Sequence, residues 1–210
     1  MATTTTEKPR YLGLLNAISL AESQAGVYLE AWANATCDED LACTLRLVAA
    51  REKSHGEVFC RRLAELGYEL RQKHDPGAAE RIARYANPKI SDIDKIGRRG
   101  AEEDPFREIE QKMKEGFYDQ MTCNLLSWYI CEERDSGRRL RQAYDCVCAK
   151  AEGNGAMKNG AARNGSAQPR TNGNGMAASS GPSEDAKAIM ACMTEGFARL
   201  EKSISRMATH

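Results

Sequence analysis

"REKSHGEVFCRRL", residues 51–63, decides how this chain is read. At helical spacing, Leu45, Val48, Glu52, His55, Phe59 and Leu63 or Leu66 recur three and four residues apart and so share one face. Such a stripe should bury itself, yet Glu52 and His55 interrupt it. A buried carboxylate without a partner costs on the order of several kcal/mol. Something must therefore compensate these two groups.

The same pattern recurs on both sides. Pro9 suits the first turn of a helix, and from there to about Ala35 the residues Leu15, Ile18, Glu22, Ala25 or Gly26, Leu29 and Trp32 run at helical period. "TCDED" (36–40) is a short turn rich in capping residues, and a second helix follows to Gly67, a natural C-terminal stop. So short a connection favours antiparallel neighbours. A third long helix is expected from about Tyr118 to Cys148, with the stripe Leu126, Tyr129, Glu133, Ser136, Leu140, Ala143 and Val147. Each of the three helices thus carries a carboxylate at an inward position. Between them, "HDPG" (74–77), "NPKISD" (87–92) and "EEDP" (102–105) are breaks that leave room for short helices around 77–86, 91–98 and 105–115. Strand patterns are absent, so the expected class is all-α.

Residues 150–182 are a different material. Seven glycines and five asparagines in that stretch cannot support a packed core, which predicts a flexible, disordered linker. After Pro182 a helical pattern returns, with Ser183 as cap and Ile189, Met193, Phe197, Leu200 and Ile204 on one face. The expected organisation is a helical bundle over 1–149, the linker over 150–182 and a tethered amphipathic helix over 183–210.

Composition removes several function classes. The 30 basic and 30 acidic residues cancel, so no global field draws the chain to nucleic acid or an anionic membrane. No apolar run approaches the ~20 residues of a membrane span. "MATTTTEKPR" lacks the apolar core of a signal peptide, which makes the cytoplasm the expected location. The eight cysteines include no Cys-x-x-Cys, so neither a zinc ribbon nor a rubredoxin-type iron site is encoded. They fall mostly within helical patterns, where packing as small buried hydrophobes is expected. Cys146 and Cys148 are the one close pair.

One glutamate on an apolar stripe is ordinarily a boundary residue with its head in solvent. Three of them, with a histidine at i+3, describe something else. A bundle lined by one Glu per helix and a Glu-x-x-His is how carboxylate-bridged di-iron or di-manganese sites are built. Carboxylates are hard, anionic and able to bridge two cations, and imidazole suits iron. The metal supplies the charge that makes buried glutamates tolerable. Glu132 and Asp135 flank Glu133 off its stripe and could pair with Arg138 and Arg139 on an exposed face; Glu132 also stands as a fifth candidate ligand. The cluster Arg134, Arg138, Arg139 and Arg141 reads as a solvated face.

"AESQAGVYLEAWA" (21–33), followed thirty residues later by "REKSHGEVFCRRL", resembles the first helix pair of rubrerythrins and the wider ferritin-like superfamily. In that family a Glu in a Glu-Ser-Gln-Ala context and a Glu-x-x-His on the next helix bind a di-iron centre. Glu22, Glu52 and His55 fall on those positions. The resemblance implies a ferritin-like bundle, iron or manganese as cofactor, and oxidase, peroxidase or iron-handling chemistry. It also implies a homodimer formed through the first helix pair.

The second half departs from the family pattern. Setting "REKSHGEVF" against "EERDSGRRL" (132–140) places Glu133 on Glu52 and Gly137 on Gly56, but Ser136 stands where a second His belongs. Pro88 and Pro105 interrupt the region of the family's third long helix, so its carboxylate, among Glu102, Glu103, Glu108 or Glu110, is anchored by no motif. The rubredoxin module of full-length rubrerythrins has no counterpart, and the residues name no electron donor. Two other readings compete: a metal-free assembly protein that kept the bundle, and a hydroxylase for a substrate such as modified tRNA.

Overall fold

The computed structural model describes residues 8–97 and 104–160, with side chains through Glu152. Among the described residues there are helices and no strand. α1 spans Leu12–Ala35, α2 Glu39–Glu65, α3 Ala78–Ala86, α4 Asp92–Ile96, α5 Arg107–Lys114 and α6 Gln120–Gly160. The all-α expectation holds, and the short helices of the middle region fall where the breaks predicted them.

Local chemistry sets the boundaries. Asp38 caps α2 by accepting the Leu41 N–H at 3.0 Å, with Glu39 and Asp40 in the first turn beside the positive end of the helix. α2 stops just before Gly67, whose φ of 82° is open to glycine at little cost. There the Gly67 and Tyr68 N–H groups return to the carbonyls of Ala64 and Leu63, both at 2.9 Å, closing the helix. Asp119 precedes α6 and accepts the Met121 and Thr122 N–H groups at 3.0 and 3.1 Å. Burial opposes its ionisation, but hydrogen bonds from Thr122, Tyr11 and Arg62 win and hold its carboxyl below the usual range.

The cross-helix contacts fix the topology. Ser19 meets Gly56, and Glu30 meets Lys53, so α1 and α2 run antiparallel. Arg62 meets Thr122 and Arg51 meets Asp135, so α6 runs antiparallel to α2. Among the described residues, the place between α1 and α6 is filled by short pieces and not by a fourth long helix. Tyr85 of α3 stacks on Tyr28 and Trp32 of α1, while Asp92 of α4 accepts hydrogen bonds from Trp32 and Thr36 at 2.7 and 2.6 Å. Phe106 and Ile109, at the start of α5, bury themselves near Tyr129.

The core is divided into two apolar clusters. One gathers Leu29, Trp32, Leu45, Val48, Leu140 and Tyr144 with their neighbours. The other gathers Leu15, Ile18, Phe59, Leu63, Leu126 and Tyr129. Full burial of an aliphatic or Phe side chain contributes about 1.5–3 kcal/mol, so both clusters stabilise the bundle substantially. Between them lies a layer of buried polar residues: Ser19, Glu22, Glu52, His55, Glu133 and Ser136. Along each long helix the order is apolar, polar, apolar.

Two expectations meet a different structure. The helix of α6 does not stop at 149 but continues to Gly160, through residues 150–160 of the expected linker. Lys150 anchors that end by pairing with Asp38 at 2.7 Å, and Ala151, Glu152, Ala156 and Lys158 are good helix formers that offset the interspersed glycines. The rest of the linker and the expected C-terminal helix lie outside the described residues. Among the described residues the cysteines are not buried core residues: Cys37, Cys43, Cys131 and Cys146 are exposed, and Cys60, Cys123 and Cys148 are half-buried, with Cys123 and Cys148 packed against the edges of the clusters. Larger side chains take the inward positions and leave cysteine the flanks. All seven carry free thiols. Among the described residues no helix is long and apolar enough to cross a membrane.

Candidate metal centre

The polar layer is built from one helix at a time. α1 delivers Glu22 and α2 delivers Glu52 and His55, which the i, i+3 spacing sets on one face. α6 delivers Glu133, and all four residues are buried. Each offers a ligand atom, and these atoms lie within 4.8 Å of one another. Four of the five candidate ligands read from the sequence therefore converge.

The close approach of α1 and α2 makes this convergence fit. A methyl group on Gly56 would clash with the Ser23 hydroxyl at 2.3 Å and press on the Ser23 nitrogen and the Ser19 carbonyl oxygen at 3.0 and 3.1 Å, so neighbouring atoms would have to shift. The Ser19 hydroxyl donates to the Gly56 carbonyl at 2.7 Å and ties the two helices together beside the site. Gly26, one turn beyond Glu22, is equally tight against Ala49 and Lys53.

His55 is held by carboxylates at both of its nitrogens. Nδ1 lies 3.2 Å from Glu133 Oε1 and 3.6 Å from Glu22 Oε2, facing the cluster. Nε2 lies 3.0 Å from Glu132 Oε2. Glu132, the fifth candidate, is thus on the outer side of the ring, with 31% of its side chain in contact with solvent. It supports the imidazole from behind and is not among the converging ligand atoms. The ring is also clamped by the edges of Trp128 and Tyr129, with centroids 5.0 and 5.1 Å away.

The electrostatics are those of anions crowded out of water. Burial, then the Glu22 and Glu133 charges, push the Glu52 carboxyl well above its usual range, with Arg51 pulling the other way. Burial and Glu22 push Glu133 up to about 7, although His55 favours its ionised form. Burial disfavours the His55 imidazolium, but the carboxylates of Glu133, Glu22 and Glu132 beside it outweigh that and raise it to about 10. Five buried atoms in this layer make no well-formed hydrogen bond, although His55 Nδ1 and Glu133 Oε1 lie 3.2 Å apart: Glu22 Oε2, both Glu52 oxygens, His55 Nδ1 and Glu133 Oε1. Buried polar atoms are normally satisfied. Carboxylate oxygens and an imidazole nitrogen gathered this closely are donors that could hold a metal ion, so the residues present fit one.

Sequence reasoning missed some of the site. Tyr129 belongs by its spacing to an apolar stripe, yet its hydroxyl donates to Glu22 Oε1 at 2.7 Å. The signal was there, since Tyr129 lies one turn before Glu133 in the same stripe. Asp135 pairs with Arg138 and Arg139 as expected, and also with Arg51 across the helix interface. Glu108 and Glu110 stand away from the cluster in ion pairs with Lys112 and Arg134. Glu102 and Glu103 lie outside the described residues. Arg134, Arg138 and Arg139 are all ion-paired, so they do not form a free basic patch. His74 is an exposed loop residue.

No protein-family model, curated protein or solved structure matches the chain.

Proposed function

We propose that the protein is a ferritin-like metal-binding protein that holds iron, or manganese, through Glu22, Glu52, His55 and Glu133. One observation carries this reading: the buried ligand atoms of four residues from three helices, none of them in a well-formed hydrogen bond within the layer, meet between two apolar clusters. Hard carboxylate donors with one imidazole suit Fe(II) and Mn(II) better than a soft-metal site would. Such an ion would supply redox chemistry of the oxidase, peroxidase or iron-handling kind. The chain's own groups have separate duties. Glu22, Glu52 and Glu133 provide anionic oxygens, His55 provides Nδ1, Glu132 holds Nε2, and Tyr129 orients Glu22. The two clusters exclude bulk water, which strengthens every charge interaction between them.

A second reading, a metal-free assembly protein, draws on His55, whose imidazolium between Glu22 and Glu133 neutralises part of the layer without an ion. It leaves Glu52 with two buried oxygens and no partner, which is why we place it second.

Metal analysis of protein expressed in iron-supplemented medium separates the two. Bound iron or manganese at stoichiometric level is expected. A Glu52→Ala, His55→Ala double variant should lose it while remaining helical by circular dichroism. Equal background levels in both proteins would rule out the site.

A further inference from the structure

We infer that the centre holds one metal ion per chain and not a bridged pair, because Arg51 closes the flank on which a second ion would need its ligands. This rests on the metal reading above and adds the number of ions.

Ligand count comes first. Donors around one ion at about 2.0–2.3 Å are separated from each other by at most about twice that distance. The four ligand atoms, all within 4.8 Å of one another, lie close to that limit, so a small inward shift would bring them around one ion. Two ions sit about 3.5–4 Å apart and need further donors on both outer sides. Among the described residues, no other group of His, Cys, Asp or Glu joins this cluster.

The flank beyond Glu133 shows why. One turn along α6 the inward residue is Ser136, fully buried. Its hydroxyl accepts a hydrogen bond from Arg51 Nη1 at 3.2 Å. The same nitrogen donates to Asp135 Oδ2 at 2.8 Å, and Asp135 also accepts from Arg139 at 2.6 Å and from Arg138. The guanidinium is therefore fixed by a carboxylate that is itself fully engaged. It is a permanent cation with no lone pair to give a metal. A second divalent ion there would meet a like charge and a neutral hydroxyl where it needs an anionic or imidazole donor. Arg51 immediately precedes Glu52 on α2 and adds positive charge on that side.

The full chain, stripped by chelation and titrated with Mn(II), provides the test. After desalting, one manganese per chain is expected, with the electron-spin hyperfine pattern of an isolated ion. Two ions per chain with an exchange-coupled pattern would overturn the inference and leave the metal reading standing. No retained ion would overturn both. An Arg51→Leu, Ser136→His double variant frees the flank and restores a donor, so its count should rise to two. A folded double variant that still holds one ion would show that Arg51 is not what closes the position. If this variant does not fold, the wild-type count decides alone.

Discussion

Tyr129 donates its phenolic hydrogen to Glu22 Oε1 over 2.7 Å, at a point where its ring is fully buried between His55, Phe59 and Phe106. Burial, then the charges of Glu22 and Glu133, hold the phenol well above its usual range, so it remains a donor at any ordinary pH. The bond occupies one oxygen of Glu22 and leaves Oε2 directed at His55 and the cluster. Tyr129 thereby decides which oxygen of Glu22 is available to an ion.

Tyr129→Phe should keep the fold, because the ring still fills its place among three aromatic neighbours. Metal affinity should fall about 10- to 100-fold, the usual consequence of losing a group that orients a ligand. Competition against a chromophoric chelator measures this. An unchanged affinity would mean that Glu22 is positioned by the helix alone.

The pH dependence of the metal-free protein follows from the same layer. Glu133 ionises near 4.5 when unfolded and at about 7 in the fold. A carboxyl whose folded value is raised favours the fold most below its unfolded value, and that contribution is lost as pH rises through about 7. The raised His55 acts in the same sense: its contribution is present below about 6.5 and lost as pH rises through about 10. The melting temperature of metal-free protein should therefore fall between about pH 5 and pH 8. Metal binding has the opposite slope, because an ion displaces these protons. For each proton released, affinity gains about tenfold per pH unit. A melting temperature that rises with pH in chelator would contradict the assignment of these groups.

Much of this was legible because the stripes were long. In α2, Leu45, Val48, Glu52, His55 and Phe59 recur over four turns, and a period repeated that often specifies the buried face without tertiary knowledge. The same holds for Glu22 and Glu133, so the converging side chains follow from the pattern alone. Glu132 was not legible in the same way. Its position off the stripe predicts exposure, and only the packing of α6 against α2 brings its carboxylate to His55 Nε2. Arg51 is the same case, since its partner Asp135 lies on another helix. The end of α6 was misread because glycine content lowers helix propensity locally, whereas an already formed helix needs little to extend each further residue.

Lys95 gives the last prediction, from outside the centre. It is 1% exposed beside Ile96 in one of the apolar clusters, and its Nζ has no hydrogen-bond partner among the described residues. Burial pulls its amine below the usual value; the Asp92 charge resists this and Arg84 adds to it. Asp92 itself is committed to Trp32 and Thr36. Lys95→Met keeps the length of the side chain and removes the group that must be stripped of water. The variant should be more stable by about 1–3 kcal/mol, the cost of burying an uncompensated polar group. A depressed lysine favours the fold more as pH climbs and the unfolded amine also loses its proton, so the advantage of methionine should shrink towards pH 10. Urea unfolding at pH 7 and pH 10 measures both effects. A methionine variant less stable than the parent at pH 7 would show that the amine has a partner worth more than its desolvation costs.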